Sequence, residues 1–190
     1  MKPAPDITDA KLLRDVGTGA GAAQPATLRF MLRHPAHWIA LGFGSGLAPM
    51  APGTVGTLWA WAAFLLLDPW LGGWPWGVVL LVALAIGIWA CARTARDLGL
   101  ADPGAIVWDE VLAFWLVLWL VMPAGLVGQA LAFALFRYFD AAKPGPVRWA
   151  DQLFKSARGW RQGFGIIFDD LVAALCTLLV IALVRFVWPA

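Results

Sequence analysis

Residues 105–122 read AIVWDEVLAFWLVLWLVM, an apolar run that carries the adjacent acids Asp109 and Glu110 near its start. A second long apolar run, close to the C-terminus, carries the adjacent acids Asp169 and Asp170 in the same way. A charge at the centre of a bilayer costs at least about 2.5–3.5 kcal/mol on insertion scales. Such acids need a cationic side chain or a metal ion as partner, so these two pairs mark a candidate functional site.

The composition is that of an integral membrane protein. Of the 190 residues, 61% are hydrophobic and 14% are charged, and the mean hydropathy is +0.74. Soluble domains are typically about 45–50% apolar and about 25% charged. The 13 tryptophans fit the aromatic belts found at membrane interfaces. The net charge of +2 is small, so no nucleic-acid partner is expected.

Five apolar runs predict an all-α fold, an integral membrane helical bundle with roughly four to five embedded helices. Each run is close to the roughly 17–25 residues that cross a bilayer as a helix. The first and fourth are short and are candidates for partial embedding. The strict alternation of a membrane-spanning barrel is absent. The runs cover residues 55–71, 77–92, 105–122, 124–139 and 166–188.

The chain is expected to form one membrane-embedded domain, 31–190, preceded by a mobile polar tail, 1–30. The tail is rich in Ala and Gly and lacks the apolar core of a signal peptide. The two cysteines, Cys91 and Cys176, lie in apolar runs and show no zinc-ligand spacing. Both are expected to be apolar packing groups.

The basic residues predict the orientation of the bundle. If the N-terminus is cytoplasmic and the five runs alternate, 13 of the 14 Lys and Arg residues lie on the inner side, and only Arg185 lies toward the outside. This is a strong positive-inside signal. All the acids except Asp68 then lie on the inner side as well. Three helix ends therefore bring carboxylates to one depth at the cytoplasmic face.

The start of the third helix is predicted from a local pattern. Asp102 followed by Pro103 resembles an N-cap with proline at the first helical position. A helix that begins there would place Asp109 about 10 Å along its axis.

A glycine-rich segment, 42–58, reads GFGSGLAPMAPGTVGTL. Glycine allows a backbone to approach an anion closely, and successive N–H groups can bind it. A helix that begins near Thr54 would direct its positive end at that anion. The alternative is a tight loop or close helix packing through small residues. The residues predicted to contact phosphate here are Gly44, Ser45, Gly46, Gly53 and Thr54.

Residues 136–151 read FRYFDAAKPGPVRWAD and combine bases with acids. The two prolines after Lys143 are expected to stop the helix and hold that residue in extended backbone. Arg137, Lys143 and Arg148 are predicted to bind a phosphomonoester, because guanidinium groups bind phosphate through paired hydrogen bonds. The alternatives are contacts with anionic lipid headgroups and, for Arg137 with Asp140, a structural salt bridge.

The acids themselves favour a hard metal ion. Mg²⁺ is typically bound by one or two carboxylates together with water and substrate phosphate. The alternative for Asp109 and Glu110 is a pair stabilised by the helix N-terminus, and for Asp169 and Asp170 a capping pair. The predicted metal-binding and catalytic set, from which one member would act as base, is Asp109, Glu110, Asp140, Asp169 and Asp170.

Taken in order, four segments resemble the phosphatidylglycerophosphatase A family: GFGSGLAPMAPGTVGTL, IVWDE, FRYFDAAKPGPVR followed by Asp151, and GFGIIFDD. The resemblance implies a Mg²⁺-dependent phosphatase of the bacterial inner membrane that converts phosphatidylglycerophosphate to phosphatidylglycerol and phosphate. It also implies a helical bundle around a central helix. The chain departs from the family at Ala113, where a glycine is common, and in the long basic segment between Asp151 and Gly163.

The sequence therefore predicts a multi-pass lipid phosphatase whose active site faces the cytoplasm. The alternative is a cation-coupled membrane transporter that uses intramembrane carboxylates, although these would be expected near the midplane and within inverted repeats. The oligomeric state stays open.

Overall fold

The computed structural model describes residues 24–188, which form a helical bundle without strands. This confirms the all-α prediction. A 3₁₀ segment, Gly42–Leu47, connects two short helices to the bundle. The α-helices are α1 (Leu28–Met31), α2 (Pro35–Ala40), α3 (Pro52–Leu71), α4 (Pro75–Leu98), α5 (Trp108–Val121), α6 (Leu126–Ala142), α7 (Pro146–Leu153) and α8 (Trp160–Val187).

Three of these helices, α3, α4 and α8, are long and apolar enough to cross a membrane. The helices α5 and α6 have 14 and 17 residues and are shorter. The third apolar run thus forms a shorter helix than its length indicated, whereas the first gains residues at its N-terminal end. The orientation of the bundle relative to a membrane stays a prediction.

Helix α5 is the central helix of the bundle. Nine of its 14 residues are buried, and it packs against α3, α4, α6 and α8. Two of its tryptophans bind the backbone of neighbouring helices: the Nε1–H of Trp115 donates to the Ala60 carbonyl at 2.8 Å, and that of Trp108 to the Ala83 carbonyl at 3.0 Å. A buried indole N–H needs such an acceptor, and these bonds hold α5 against α3 and α4.

Close packing between α4 and α8 depends on Gly163. A Cβ atom on Gly163 would overlap the Ile88 carbonyl oxygen and lie 2.8 Å from the Cβ of Ala92. Small residues let helix backbones approach in this way. The crossing brings the N-terminal half of α8, which carries Asp169 and Asp170, against the central helix.

The predicted start of the third helix at Asp102 is wrong, because α5 begins at Trp108. The residues before it are used for packing instead. The Val107 N–H donates to the Ala40 carbonyl at 2.9 Å, and the Ala105 carbonyl lies where a side chain on Gly46 would be. These contacts require non-helical backbone, so Asp109 and Glu110 lie in the first turn of α5.

Residues 1–23 of the predicted tail lie outside the described residues. From Gln24 onward the chain packs on the bundle: the Gln24 N–H donates to the Leu98 carbonyl at 3.0 Å, and Phe30 is buried. The boundary between the tail and the single predicted domain stays a prediction.

Candidate active site

Three acids from two helices meet at the N-terminal end of α5. Asp109 and Glu110 lie in its first turn, and Asp170 lies on α8. Each can place one carboxylate oxygen so that all three oxygens lie within 4.8 Å of one another. Asp170 is almost fully buried. Carboxylates this close repel one another unless a cation or a proton lies between them.

Helix α6 adds Arg137 and Asp140 to this cluster. Arg137 donates from Nη1 to Asp140 on the same helix face, and the same nitrogen lies 3.7 Å from Oε1 of Glu110. Asp140 is buried near the end of the helix. Arg137 therefore joins α6 to the acids of α5 and provides one positive charge at their side.

Several polar atoms of the cluster are buried without a partner among the described residues: Oε2 of Glu110, Oδ2 of Asp170 and Nε of Arg137. A buried polar atom without a hydrogen bond costs about 1–3 kcal/mol. The arrangement suits ligands of both signs, since it offers carboxylate oxygens to a cation and a guanidinium N–H to an anion. An all-oxygen donor set fits a hard cation such as Mg²⁺.

Asp169 forms different contacts from those of the adjacent Asp170. Its Oδ2 accepts a hydrogen bond from Nζ of Lys143 at 2.6 Å, and the same nitrogen donates to Oδ1 of Asp151 at 2.5 Å. Lys155 lies 3.1 Å from the other oxygen of Asp151. Asp169 thus belongs to a bridge between α6, α7 and α8, and the structure does not place it among the three acids that share a metal-sized space.

The backbone of Lys143, which forms this bridge, differs from the sequence-based prediction. Its backbone is left-handed, with φ 44 and ψ 54, rather than extended as the following proline indicated. That conformation is strained for a residue with a side chain and is kept only where the surroundings require it. Here it lets Nζ reach both Asp151 and Asp169. Since two carboxylates share its charge, Lys143 is less available to a phosphate than the sequence indicated.

The charges of the bridge are coupled to folding. Burial opposes the charged form of both partners, but their hydrogen bonds outweigh it. The bonds from Lys143 and Lys155 hold the pKa of Asp151 below its ordinary value. The bonds to Asp151 and Asp169 raise the pKa of Lys143 above its ordinary value. Lys143 is therefore cationic and Asp151 anionic at neutral pH.

The second half of the glycine-rich segment reaches the cluster. A Cβ atom on Gly53, in the first turn of α3, would overlap Oε1 of Glu110 and lie 3.1 and 3.2 Å from the two terminal nitrogens of Arg137. Thr54 follows it and is partly exposed. The positive end of α3 therefore lies directly against the Glu110–Arg137 pair, so an anion held there would also interact favourably with the helix dipole.

A family model described as Phosphatidylglycerophosphatase A matches residues 38–185. The chain belongs to the phosphatidylglycerophosphatase A family. It is 36% identical over 166 residues to Phosphatidylglycerophosphatase A of Escherichia coli, covering 86% of this chain and 91% of that protein. The Haemophilus influenzae protein of the same name is 35% identical over 83% of this chain and 93% of its own. No solved structure matches.

A third relative is the Putative phosphatidylinositol-3-phosphatase of Bacteroides thetaiotaomicron, 35% identical over 78% of this chain and 92% of that protein. Membership of the phosphatidylglycerophosphatase A family identifies this chain as a phosphatase. The apolar helices that could cross a membrane agree with association with a bilayer.

The first half of the glycine-rich segment packs within the fold. Gly46 lies against the Ala105 carbonyl, and the Ser45 hydroxyl donates to the Gly42 carbonyl at 2.8 Å. Gly44 has φ 106, a conformation that favours glycine. These contacts explain the small residues without a phosphate, so phosphate binding by Gly44, Ser45 and Gly46 stays a prediction.

The remaining predicted base, Arg148, is exposed on α7 and forms no ion pair within the described part of the chain. The structure does not bring it to the acid cluster. Sequence reasoning gave Asp151 no role beyond its place in the family resemblance, whereas the fold places it between Lys143 and Lys155. Its contacts depend on the way α7 folds back after the proline turn, which the sequence does not reveal.

Proposed function

We propose that this phosphatase removes the terminal phosphate of phosphatidylglycerophosphate to give phosphatidylglycerol, that it requires Mg²⁺, and that it acts at the cytoplasmic face of the bacterial inner membrane. The observation that carries this proposal is the cluster of Asp109, Glu110 and Asp170 with Arg137 beside it. It combines a hard-cation donor set with a phosphate-binding base in one buried place.

The geometry supports one choice of metal ligands. Asp109, Glu110 and Asp170 would hold Mg²⁺, since their oxygens can converge and two of them carry a buried oxygen without a protein partner. When bound, the ion supplies charge neutralisation to the phosphoryl group. Asp140 and Asp169 support the site through Arg137 and Lys143.

The protein groups then divide the remaining work. Arg137 directs its unpartnered Nε–H at the phosphate, and the first turn of α3 at Gly53 presents its positive end to the same anion. Water attacks phosphorus, the phosphorus–oxygen bond to the lipid breaks, and the lipid oxygen leaves as an alcohol. A carboxylate of the cluster accepts a proton from the attacking water and passes it to the departing lipid oxygen.

The proposed substrate is supported by the names of the relatives. Two of them are named as phosphatidylglycerophosphatases and the third as a putative phosphatidylinositol-3-phosphatase. All three names describe removal of phosphate from a phospholipid headgroup. The basic residues concentrated on one predicted side support the cytoplasmic orientation. The transporter alternative gains no support, since Asp109, Glu110 and Asp140 lie at helix ends.

The test is phosphate release by protein purified in nonionic detergent, with phosphatidylglycerophosphate or phosphatidic acid as substrate and with Mg²⁺ or EDTA. Asp170→Asn is the variant, and the exposed Asp102→Asn on the same side of the bundle is its charge-matched control. We expect Mg²⁺-dependent release from the first lipid that only Asp170→Asn abolishes. Equal release with EDTA would reject the metal role, and release from phosphatidic acid alone would reject the substrate.

A further inference from the structure

One cavity of the molecule has no residue of the acid cluster in its lining. It has a volume of about 520 Å³ and lies between the C-terminal end of α4 and the loop that precedes α8. This volume is within the roughly 300–1,000 Å³ typical of ligand sites. Asp109, Glu110 and Asp170 are absent from its lining, so a ligand here would be separate from the substrate.

Three cations line this cavity: Arg96 from α4, and Lys155 and Arg158 from the loop before α8. Among the described residues that form its walls there is no carboxylate. Just outside the lining, Nε of Arg96 lies 3.5 Å from Oδ1 of Asp97, and Lys155 pairs with Asp151. Arg158 forms no ion pair in the described part of the chain, so the positive charge brought together from segments about 60 residues apart is only partly balanced.

The walls of the cavity are fixed rather than loose. The side-chain amide of Gln162 donates to the Leu100 carbonyl at 3.2 Å and to the Ala101 carbonyl at 2.9 Å. These two bonds join the first turn of α8 to the segment that follows α4. The positive end of α8, a helix of 28 residues, also contributes to the wall through Gly159. The backbone walls of the cavity are therefore preformed, which lowers the cost of binding a ligand.

The location indicates which anions can reach it. The cavity lies where α4 ends and α8 begins, and both helices are long enough to cross a bilayer. Trp160, the first residue of α8, is 70% exposed, as expected for a side chain at the headgroup level. Anionic phospholipid headgroups are concentrated at that depth.

We propose that this cavity is a second binding site for a phosphate-bearing anion, supplied by the headgroup of an anionic phospholipid. Arg96 and Arg158 bind the phosphate oxygens, and Lys155 completes the set from its position beside Asp151. The site is independent of the catalytic cluster and of its substrate. It gives the enzyme a contact with the anionic lipid that surrounds it in the membrane.

The test is the count of lipids retained by the purified protein in native mass spectrometry, with phosphatidylglycerol or phosphatidylcholine added to the micelles. Arg96→Gln with Arg158→Gln is the pocket variant, which leaves Lys155 and its partner Asp151 intact. Arg29→Gln with Arg33→Gln is the matched control, because both arginines are exposed and the same charge is removed.

We expect the wild type and the control to retain phosphatidylglycerol in preference to phosphatidylcholine. The pocket variant should bind it roughly thirty-fold more weakly, since each basic residue near an anionic headgroup contributes on the order of a five-fold factor. Equal retention by pocket variant and control would overturn the proposal.

Inorganic phosphate separates the two sources of the anion. A rise in melting temperature with phosphate, seen in the wild type and absent from the pocket variant, would support the cavity as a phosphate site. If phosphate raises it but phosphatidylglycerol is not retained, the lipid is excluded as the source. If the pocket variant is too unstable to test, lipid retention by the wild type is compared at low and high salt. A site that depends on charge binds more weakly as salt is added. Retention that does not change with salt would therefore also overturn the proposal.

Discussion

Replacing Gly53 with alanine tests the placement of the candidate site most directly. The new Cβ atom would overlap Oε1 of Glu110 and lie 3.1 and 3.2 Å from the terminal nitrogens of Arg137. The atoms that must yield are the ends of two side chains, so the backbone can stay in place. Alanine is favoured over glycine inside a helix by about 0.5–1 kcal/mol.

The expected result is therefore a separation of stability from activity. Moving a catalytic group by about 1 Å can cost on the order of 100-fold in rate, and Glu110 has to move if Gly53 gains a side chain. We expect Gly53→Ala to lose roughly 100-fold in kcat/KM, which corresponds to about 2.7 kcal/mol of transition-state stabilisation. Its melting temperature should stay at or slightly above that of the wild type.

The assay is Mg²⁺-dependent phosphate release combined with thermal unfolding in the same detergent. Gly128→Ala is the matched control, since a Cβ atom there meets only the Ala124 Cβ at an ordinary 3.4 Å within α6. It should keep full activity. Wild-type activity in folded Gly53→Ala would refute the placement of Glu110 against α3, and an equal loss in Gly128→Ala would show that the effect is not specific to the site.

Three further perturbations concern the charged network. Lys143→Met should lower the melting temperature, because it leaves the buried Asp169 without its hydrogen-bond partner at a cost of about 1–3 kcal/mol, whereas Lys155→Met removes an exposed partner whose contribution is about 0–1 kcal/mol. The folded-state pKa of Asp151 is lowered, so its stabilisation is present above the ordinary pKa of an aspartate and is lost as pH falls through the folded value; melting scans should show an acid-side loss that Asp151→Asn removes. Arg137→Lys should raise KM for the lipid, since an ammonium cannot contact Asp140 and a phosphate through a planar fork.

Each of these has an outcome that would contradict it. Equal melting temperatures for the two lysine variants would mean that the bridge through Lys143 contributes no more than a surface pair. An acid-side loss that survives Asp151→Asn would assign that loss to other carboxylates. An unchanged KM in Arg137→Lys, measured against the lipid phosphomonoester at saturating Mg²⁺, would remove Arg137 from phosphate binding.

The acid cluster could be expected from the sequence, because few structural roles explain adjacent acids within apolar segments. Paired acids in apolar runs have little structural use, and the assumption that the helices alternate already placed Asp109 and Glu110 near Asp170. The fold class followed from the lengths of the apolar runs. Both inferences depend on the distribution of apolar and charged residues along the sequence, which can be read without knowledge of long-range contacts.

The roles of individual residues were less accessible, because they depend on how short segments fold back. Lys143 looked like a phosphate ligand, but the left-handed turn after α6 directs it to Asp151 and Asp169. The glycine spacing indicated that other atoms approach the backbone of this segment closely. It could not show that Gly46 contacts a backbone carbonyl whereas Gly53 contacts the side chain of Glu110. Likewise, an N-cap signal at Asp102 was overridden by the packing of the backbone that follows it.

The unequal lengths of the helices have an electrostatic consequence. Ten residues of α8, about 15 Å of helix, precede Asp170. The much shorter α5 begins near that level and carries Asp109 and Glu110 in its first turn, so three acidic groups lie close together beside the longer helix. Surroundings of low dielectric strengthen the field of such charges. Capture of a divalent cation should then be fast at low ionic strength and should slow steeply as salt is added.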